Sequence, residues 1–530
     1  MDAELFAAQV SDLLGAETVS MSVTPRVRAV IDRLGAAWVA SALRPLLLLR
    51  GADQTLSAEL HVCDRQPMTY VAQTRGAGHE GVVLVGDGRG LSAGHLTLPG
   101  PGVLDGSAPF AIGPQDTTWM RLASGAYGRL YRHLPLGLDT YRQWCNHRRR
   151  LDLRAGSWSS ATTGAGPGAG QRTMWVAMHW AEEGGAESWA WAQARLAAQA
   201  GFNLVITTDR AAPQRLLDQA LSLTPHVYSA GNAVPVSEFP RLAMALMDRH
   251  QVTDIHIHHS LLAYRALPLV RALYPGTRVE DSTHVVEYRG GGFVGMSVAA
   301  DGMIDLHHVI SPQLLRLYRQ AGVPRHKVVY RPLTQVGAPG RARARRPVAG
   351  APVRVGFLGR FSVQKRPYLF QRVAAVLSRG LPGRFAFIMQ GAGELEGTIL
   401  KDSRRLRLGD TIEYRRWGPA EDLLQDVDVL LVPSENEGLT LTALEADAVG
   451  VLVVSADVGS QDSVVAQEAL LPAQPVAFMA EAVRLLNRLA RHPSLRARLL
   501  AEQHRKVGEV ERAESASSFF SHHYQKLVSP

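Results

Sequence analysis

Cysteine, lysine and long apolar runs are what this sequence has least of. Two cysteines in 530 residues, Cys63 and Cys145, exclude a disulfide scaffold and a cysteine-built zinc cluster. That usage fits a reducing compartment. The most apolar stretch, Leu34 to Leu49, is interrupted by Arg44-Pro45 and is too short to cross a bilayer. The first residues, Met1-Asp2-Ala3-Glu4, are acidic where an export signal would be basic, so the expected location is the cytoplasm. Aromatic residues make up only 7% and do not interleave with basic ones as stacking platforms require, so nucleic acid is not an expected partner.

What is present describes a folded protein of more than one domain. The hydrophobic fraction of 46% and charged fraction of 20% argue against disorder. A mass of 57.6 kDa exceeds one ordinary core and predicts two or three domains. The net charge is +9, but it is carried by 52 arginines and only five lysines out of 57 basic residues. Such an excess reflects coding bias in large part. The remainder fits anionic partners: sugar nucleotides or an anionic membrane surface.

Two stretches without apolar periodicity divide the chain. Residues 156–171, mostly Gly, Ser, Thr and Ala, read as a flexible tether, and residues 337–350, rich in Pro, Gly and Arg, as a second linker. They separate an accessory segment at 1–155 from domains at 172–336 and 351–530. Both later segments alternate short apolar runs with helical stretches: Thr173 to His179, Ala186 to Ala200, Asn203 to Thr207 and Asp254 to His258, then Val353 to Leu358, Pro367 to Ser378, Arg384 to Met389, Val427 to Val432, Leu439 to Ala448 and Val451 to Val454. That alternation predicts an α/β class with doubly wound parallel sheets. Two such domains in tandem place a ligand cleft between the carboxyl ends of two sheets. In the first segment, Val23 to Leu49 reads as one or two helices and Gly81 to Val85 as a strand. The arginine run from Arg142 to Arg154 reads either as a solvated helix face or as a contact for anionic lipid or an anionic acceptor.

The strongest chemical signal lies near the carboxyl terminus. Pro433-Ser434-Glu435-Asn436-Glu437-Gly438-Leu439 follows a strand, and a helix then carries Glu445. Carboxylates are acceptor-only groups suited to paired hydroxyls, and the amides of Gly438 and Leu439 lie where a helix start favours an anion. Gly359-Arg360 follows another strand, with Lys365 five residues on. Two cations in such a loop can hold a diphosphate, arginine as a fork and lysine as a point charge. After the next strand comes Gly391-Ala392-Gly393, a tight turn that alone says little.

Gly359-Arg360 with Lys365, Gly391-x-Gly393, Trp417-Gly418, Pro433-Ser434, and Glu437 to Glu445 followed by Ala446 and Gly450 resemble the carboxyl-terminal domain of family 4 retaining glycosyltransferases, of the glycosyl transferase group 1 type. Gly184-Gly185-Ala186-Glu187, Asp254 to Ser260, Ser282-Thr283-His284 and Val309-Ile310-Ser311 resemble that family's amino-terminal half. The likeness covers about 172–510 and leaves 1–155 outside. It implies the GT-B fold, two Rossmann-like domains facing across a cleft. It also implies transfer of a sugar from a UDP- or GDP-type donor to an acceptor hydroxyl, with retention and without a cofactor or metal. A glycan or lipid-linked acceptor in polysaccharide or cell-surface glycan synthesis, with peripheral contact at the inner membrane face, belongs to the same reading. The resemblance assigns Arg360, Lys365, Glu437 and His284 to catalysis. It assigns Gly184, Gly185, Gly359, Gly391, Gly393, Gly438, Leu439, Thr440 and Glu445 to the donor. Departures include Val451-Leu452 for the family's Pro-Val, and Tyr330-Arg331-Pro332-Leu333 where an Asn-Gly-Val-Asp-like element is expected. A nucleotide-sugar epimerase and a non-catalytic partner subunit are the alternatives.

Two patterns imitate metal sites. Asp426-Val427-Asp428 matches a D-x-D signature but precedes its strand, away from the donor end. His256, His258 and His259 share a strand without an evident further ligand, and at least two are expected to be structural.

Overall fold

The computed structural model describes the chain except residues 1–2, 16–17, 52, 67, 71–77, 89, 106–107, 109–125, 132, 148–150, 159–170, 288–289, 335–350, 394 and 530. The expected second linker and most of the first therefore lie outside the described residues. Among those described, no helix is long and apolar enough to cross a membrane.

Two parallel sheets carry the later segments. The first contains β5 (Thr173–Met178), β6 (Asn203–Thr208), β7 (Val227–Ser229), β8 (Asp254–His258), β9 (Arg278–Thr283), β10 (Leu306–Val309) and β11 (Val328–Tyr330), in the order β11-β10-β9-β8-β5-β6-β7. The second contains β12 (Val353–Leu358), β13 (Phe385–Gln390), β14 (Ile412–Arg415), β15 (Val429–Val432), β16 (Leu452–Ala456) and β17 (Leu470–Leu471), in the order β14-β13-β12-β15-β16-β17. Every pairing in both is parallel. Central strands such as β5, β8 and β15 are buried along their whole length, as sheets covered on both faces require. The strand order reverses between β5 and β8 and again between β12 and β15. Those reversals are where α/β sheets open a crevice beyond the strand ends. The two crevices face one another, because Arg360 and Asn436 of the second sheet donate to the carbonyls of Glu183 and Val286 of the first. The expected pair of Rossmann-like domains, the GT-B arrangement, is observed.

The first segment has the helices expected in Val23 to Leu49 and the strand expected at Gly81 to Val85, but differs from expectation in how it packs. It forms a sheet of β1 (Val19–Val23), β2 (Gln54–Cys63), β3 (Gly81–Val85) and β4 (Gly90–Pro99), in the order β1-β3-β2-β4. Val23 to Leu49 resolves into helices Pro25–Leu34 and Ala36–Leu49, parted at Gly35, whose φ of 84° a side chain would oppose. Helix Ala36–Leu49 lies against β7, the edge of the seven-stranded sheet. There Trp38 Nε1 donates to Pro213 O at 2.7 Å, and Ser41 Oγ lies 3.0 Å from Ser229 Oγ. Asn232 Nδ2 donates to Thr97 O at 3.0 Å, and Trp38, Val39, Ala42 and Leu43 are buried in one core continuous with both Rossmann-like sheets. Helix Pro135–His147 docks on the other domain: Tyr368 hydroxyl donates to Asp139 Oδ2 at 2.6 Å, and Arg142 Nε to Glu435 Oε1 at 3.1 Å. The start of the expected tether is also packed, since Gly156 N donates to Val298 O at 3.0 Å. Burial of large apolar side chains at about 1.5–3 kcal/mol each makes this segment part of the core rather than a tethered accessory. Within the arginine run, Arg142 is engaged with Asp139 and Glu435, Arg154 is exposed beside Asp152, and Arg148 to Arg150 lie outside the described residues.

The boundary at the other end also shifts. Helix Ala516–Val528 leaves the second sheet domain and packs on helix Gly185–Ala200 of the first. Tyr524 hydroxyl lies 2.8 Å from His256 Nδ1 and bonds to Gln193, and His523 Nε2 lies 2.6 Å from Glu280 Oε1. Residues 351–530 are therefore not one domain, because the final helix completes the amino-terminal one. His256 and His258 are held by Ser282 and Gln193 respectively, and serve this core as expected.

Two outcomes follow from these contacts. A chain beginning at Gln171 would expose the apolar edge at β7 and strip Arg366 and Tyr368 of Asp139. It is expected to be insoluble or to melt well below the full chain by circular dichroism, and a native-like melt would contradict the packing. The second concerns His307 of β10, buried with Nδ1 2.9 Å from Asp281 and Nε2 3.2 Å from Asp301. Burial opposes its charge, but the two carboxylates prevail and raise it to about 9. A raised histidine contributes its full stability below the unfolded value of about 6.5 and loses it as pH climbs through about 9. Between about pH 6 and 9.5 the full chain should lose on the order of 2–3 kcal/mol more in urea unfolding than its His307→Gln variant.

Candidate active site

The loops after β12 and β15 build one wall of the cleft. Lys365 Nζ meets Glu437 Oε1 at 2.5 Å, Gln364 Nε2 donates to Asn436 O at 3.0 Å, and Glu435 N donates to Gln364 O at 2.7 Å. Three links thus knit the cationic loop to the carboxylate loop. Glu437 is buried while Lys365 keeps 29% of its side chain in solvent, so the ammonium is the accessible partner. Glu435, two residues earlier, turns away to Arg142. Alternation along the loop therefore gives one carboxylate to the cleft and the other to helix Pro135–His147.

Arg360 bridges the walls. Its Nη2 donates to Glu183 O at 2.7 Å, beside Gly184-Gly185, and its guanidinium lies 5.9 Å from the Trp180 ring. Arg210, at the end of β6, covers the same indole at 4.4 Å. Trp180 Nε1 donates to Glu187 Oε1 at 2.5 Å, and His179 Nε2 lies 3.1 Å from that oxygen. Burial pushes the Glu187 carboxyl up, but the bonds from His179 and Trp180 hold it down at about 2. It is a carboxylate throughout the physiological range, and it orients the His179 ring that ends β5.

Behind this wall lie His259, His284 and Phe293. His259 follows β8 with φ 55°, and its ring stacks on Phe293 at 4.9 Å and meets His284 edge-on at 5.0 Å. Burial, then the neighbouring histidines, depress both imidazoles, so both are neutral. Nε2 of each is buried without a hydrogen-bond partner among the described residues. Buried polar atoms of that kind are uncommon away from places where water or a ligand binds.

The glycines permit contact between the walls. A Cβ on Gly438 would stand 2.1 Å from His284 O, and one on Gly391 would stand 2.1 Å from Gly359 O. Gly393 packs beside Phe361 and the Arg360 stem, and Gly185 faces Leu441. Leu439 is buried, and Thr440 Oγ1 accepts from Gln461 Nε2 at 2.5 Å ahead of helix Leu441–Ala448. Glu445 sits one turn into that helix, half-buried, with no hydrogen bond or ion pair among the described residues. Burial raises its carboxyl above the usual range. Arg360, Lys365, Glu437 and Thr440 are thus tied by hydrogen bonds or ion pairs across or along the cleft, whereas Glu445 and His284 Nε2 have no such partner among the described residues.

Asp426 and Asp428 lie at the amino end of β15, opposite the cleft. Asp426 takes Arg415 at 2.7 Å, and Asp428 accepts from Arg354 N at 2.9 Å and faces Arg496 at 3.3 Å. Three residues escaped the sequence reading. Arg210 gave only the signal of a cation at a strand end. Asp209, whose Oδ2 accepts from Ser260 and Leu262 N at 2.7 Å each, anchors the turn after β8, and its burial raises it to about 6. Asp139 gave no signal, since Tyr368 and Arg366, the partners it meets in the second sheet domain, lie more than 220 positions away.

The family model described as glycosyl transferases group 1 matches residues 352–488. A D-inositol 3-phosphate glycosyltransferase of Saccharomonospora viridis is 31% identical over 266 residues, 47% of this chain and 59% of that protein. One from Kineococcus radiotolerans is 33% identical over 235 residues, 40% of this chain and 50% of that protein. The chain thus spans about half the length of the curated relatives it matches. Among solved structures, Anabaena HepE in complex with UDP-glucose aligns at 13% identity and a TM-score of 0.48, over 67% of this chain and 99% of that one. The lipopolysaccharide outer core galactosyltransferase WaaB aligns at 15% identity and 0.46, over 67% and 99%. The matched stretch runs from β12 through β15 and the Glu445 helix and takes in the whole cationic and carboxylate wall, so over these residues the carboxyl-terminal sheet domain is similar to the group 1 glycosyltransferases.

Proposed function

We propose that this protein transfers a hexose from a nucleoside-diphosphate sugar to an acceptor hydroxyl, retaining the anomeric configuration. The observation that carries the reading is the Lys365–Glu437 pair, set with Arg360 where the strand order of the second sheet reverses. The cations of that wall would bind the diphosphate and stabilise the negative charge that grows as it leaves. Glu437, fixed by Lys365, would accept from the hexose hydroxyls. Glu445, a carboxylate without a protein partner among the described residues, would accept from the ribose diol. His284, neutral with Nε2 unpaired, would hydrogen-bond the sugar or the leaving phosphate. Gly184 and Gly185 would let the opposite wall approach the diphosphate. UDP- and GDP-type donors both suit these groups.

Transfer without a metal is part of the proposal. It is supported by the engagement of Asp426 and Asp428 with arginines and a backbone amide at the far end of β15. A glycan or lipid-linked acceptor is proposed on the same footing, with attachment at an anionic membrane face. Tyr141 and Trp144, each more than half exposed on helix Pro135–His147, are amphipathic side chains of the kind found at lipid interfaces, and apolar Leu134 just before that helix is exposed beside them in sequence.

Arg360→Ala and Lys365→Ala each remove a charge-assisted contact of about 1.5–3 kcal/mol. Each should lower kcat/KM for transfer about 10- to 150-fold and weaken the rise in Tm on adding UDP or GDP sugars, while the circular dichroism spectrum stays that of the parent. Full activity and full nucleotide response in both would defeat the assignment. The new glycosidic bond should keep the donor's configuration, read from the coupling of its anomeric proton by NMR. An inverted product would exclude retention.

A further inference from the structure

Outside the cleft, metal-ligating side chains converge on the first sheet. β2 and β4 run parallel with Glu59 opposite His95, and His61 lies two residues beyond Glu59, so all three stand on one face. Glu59 Oε2 is 3.4 Å from His95 Nδ1 and 3.8 Å from His61 Nε2, and the two ring nitrogens are 3.2 Å apart. Ligand atoms held at about 2.0–2.2 Å by one tetrahedral zinc stand about 3.3–3.6 Å from one another. The triangle therefore has the dimensions of one face of such a polyhedron.

The surroundings of His61 favour ligation. It is 2% exposed, and its Nδ1 lies 3.3 Å from Gly78 O. A proton on Nδ1 donated to that carbonyl leaves the Nε2 lone pair directed at the cluster, the way outer hydrogen bonds orient metal-binding histidines. His79 follows the same carbonyl, and its Nδ1 is 3.9 Å from Glu59 Oε2. A mixed imidazole–carboxylate set selects borderline ions such as zinc over magnesium or calcium.

We propose that Glu59, His61 and His95 form a binding site for one zinc-type divalent ion, which ties β2 to β4. His79 or a water fills the fourth corner. The proposal is independent of the transferase reading, because none of these residues belongs to the cleft. In the absence of an ion the same atoms would form only a histidine–histidine–glutamate hydrogen-bond chain.

The test uses the full-length protein, stripped with a chelator, dialysed and titrated with zinc sulfate by calorimetry. One equivalent is expected to bind with a rise in Tm, and cobalt in its place should give the intense visible absorption of a tetrahedral site. Glu59→Gln and His95→Asn should each weaken binding about 10- to 100-fold. Both side chains are about two-fifths exposed, so these variants should fold like the parent by circular dichroism where buried His61→Ala need not. No stoichiometric binding by the parent would overturn the proposal. So would equal affinity in both variants, which would place the zinc elsewhere on the surface.

Discussion

The cleft depends on a near-collision: the backbone of Gly438 lies against the carbonyl of His284, with no room for a single Cβ between them. That approach sets the distance between the two sheets, and the other elements of the site take their places around it. Arg360 can cap Glu183 O only because the walls are this close. Lys365 is aimed by Glu437, the residue next to Gly438, so the cation is oriented by the same loop that makes the contact. Backbone contact is a firmer spacer than side-chain contact, because it has no rotamers to yield.

A second constraint acts from the rear. Asp139 is fully buried and accepts from Tyr131 and Tyr368 while lying 3.5 Å from Arg366 Nε and 3.0 Å from Arg142. Arg366 directly follows Lys365 and is itself completely buried, with φ 48°. A buried arginine without its carboxylate would be severely destabilising, so helix Pro135–His147 holds the loop that carries Lys365. Together with helix Ala36–Leu49 against β7, this makes the first segment a brace spanning both Rossmann-like domains. Helix Ala516–Val528 returns from the second domain to the first and adds a further strap.

Much of this could be read along the chain. Strands β5, β6, β8, β12, β13, β15 and β16 were legible because parallel strands buried on two faces are continuous apolar runs, as in Val427 to Val432, whereas short strands at the sheet edges such as β7 and β14 were not. Lys365 was legible because lysine is so scarce, and Gly438 because the residues around it follow a strand and precede a helix. Asp426 and Asp428 could be set aside for the complementary reason, since they precede β15 and so lie at its amino end. The role of the first segment could not be read this way. An arginine on a helix looks the same whether water or Glu435 covers it, and a Gly-Ser-Thr run shows composition but not where its ends are pinned.

The sequence by itself determined what depends on neighbours in the chain: strand and helix identity, the loops at strand ends, the glycines at the turns, and the pairing of cations and carboxylates with those loops. The tertiary structure alone decided what depends on partners distant in sequence. It set Tyr524 on His256 across 268 positions, Arg142 on Glu435 across 293, and His61 beside His95 across 34. The physical reason is that periodicity and turn chemistry report only the local backbone, whereas burial and charge pairing are settled by whichever surface closes over a residue when the chain folds.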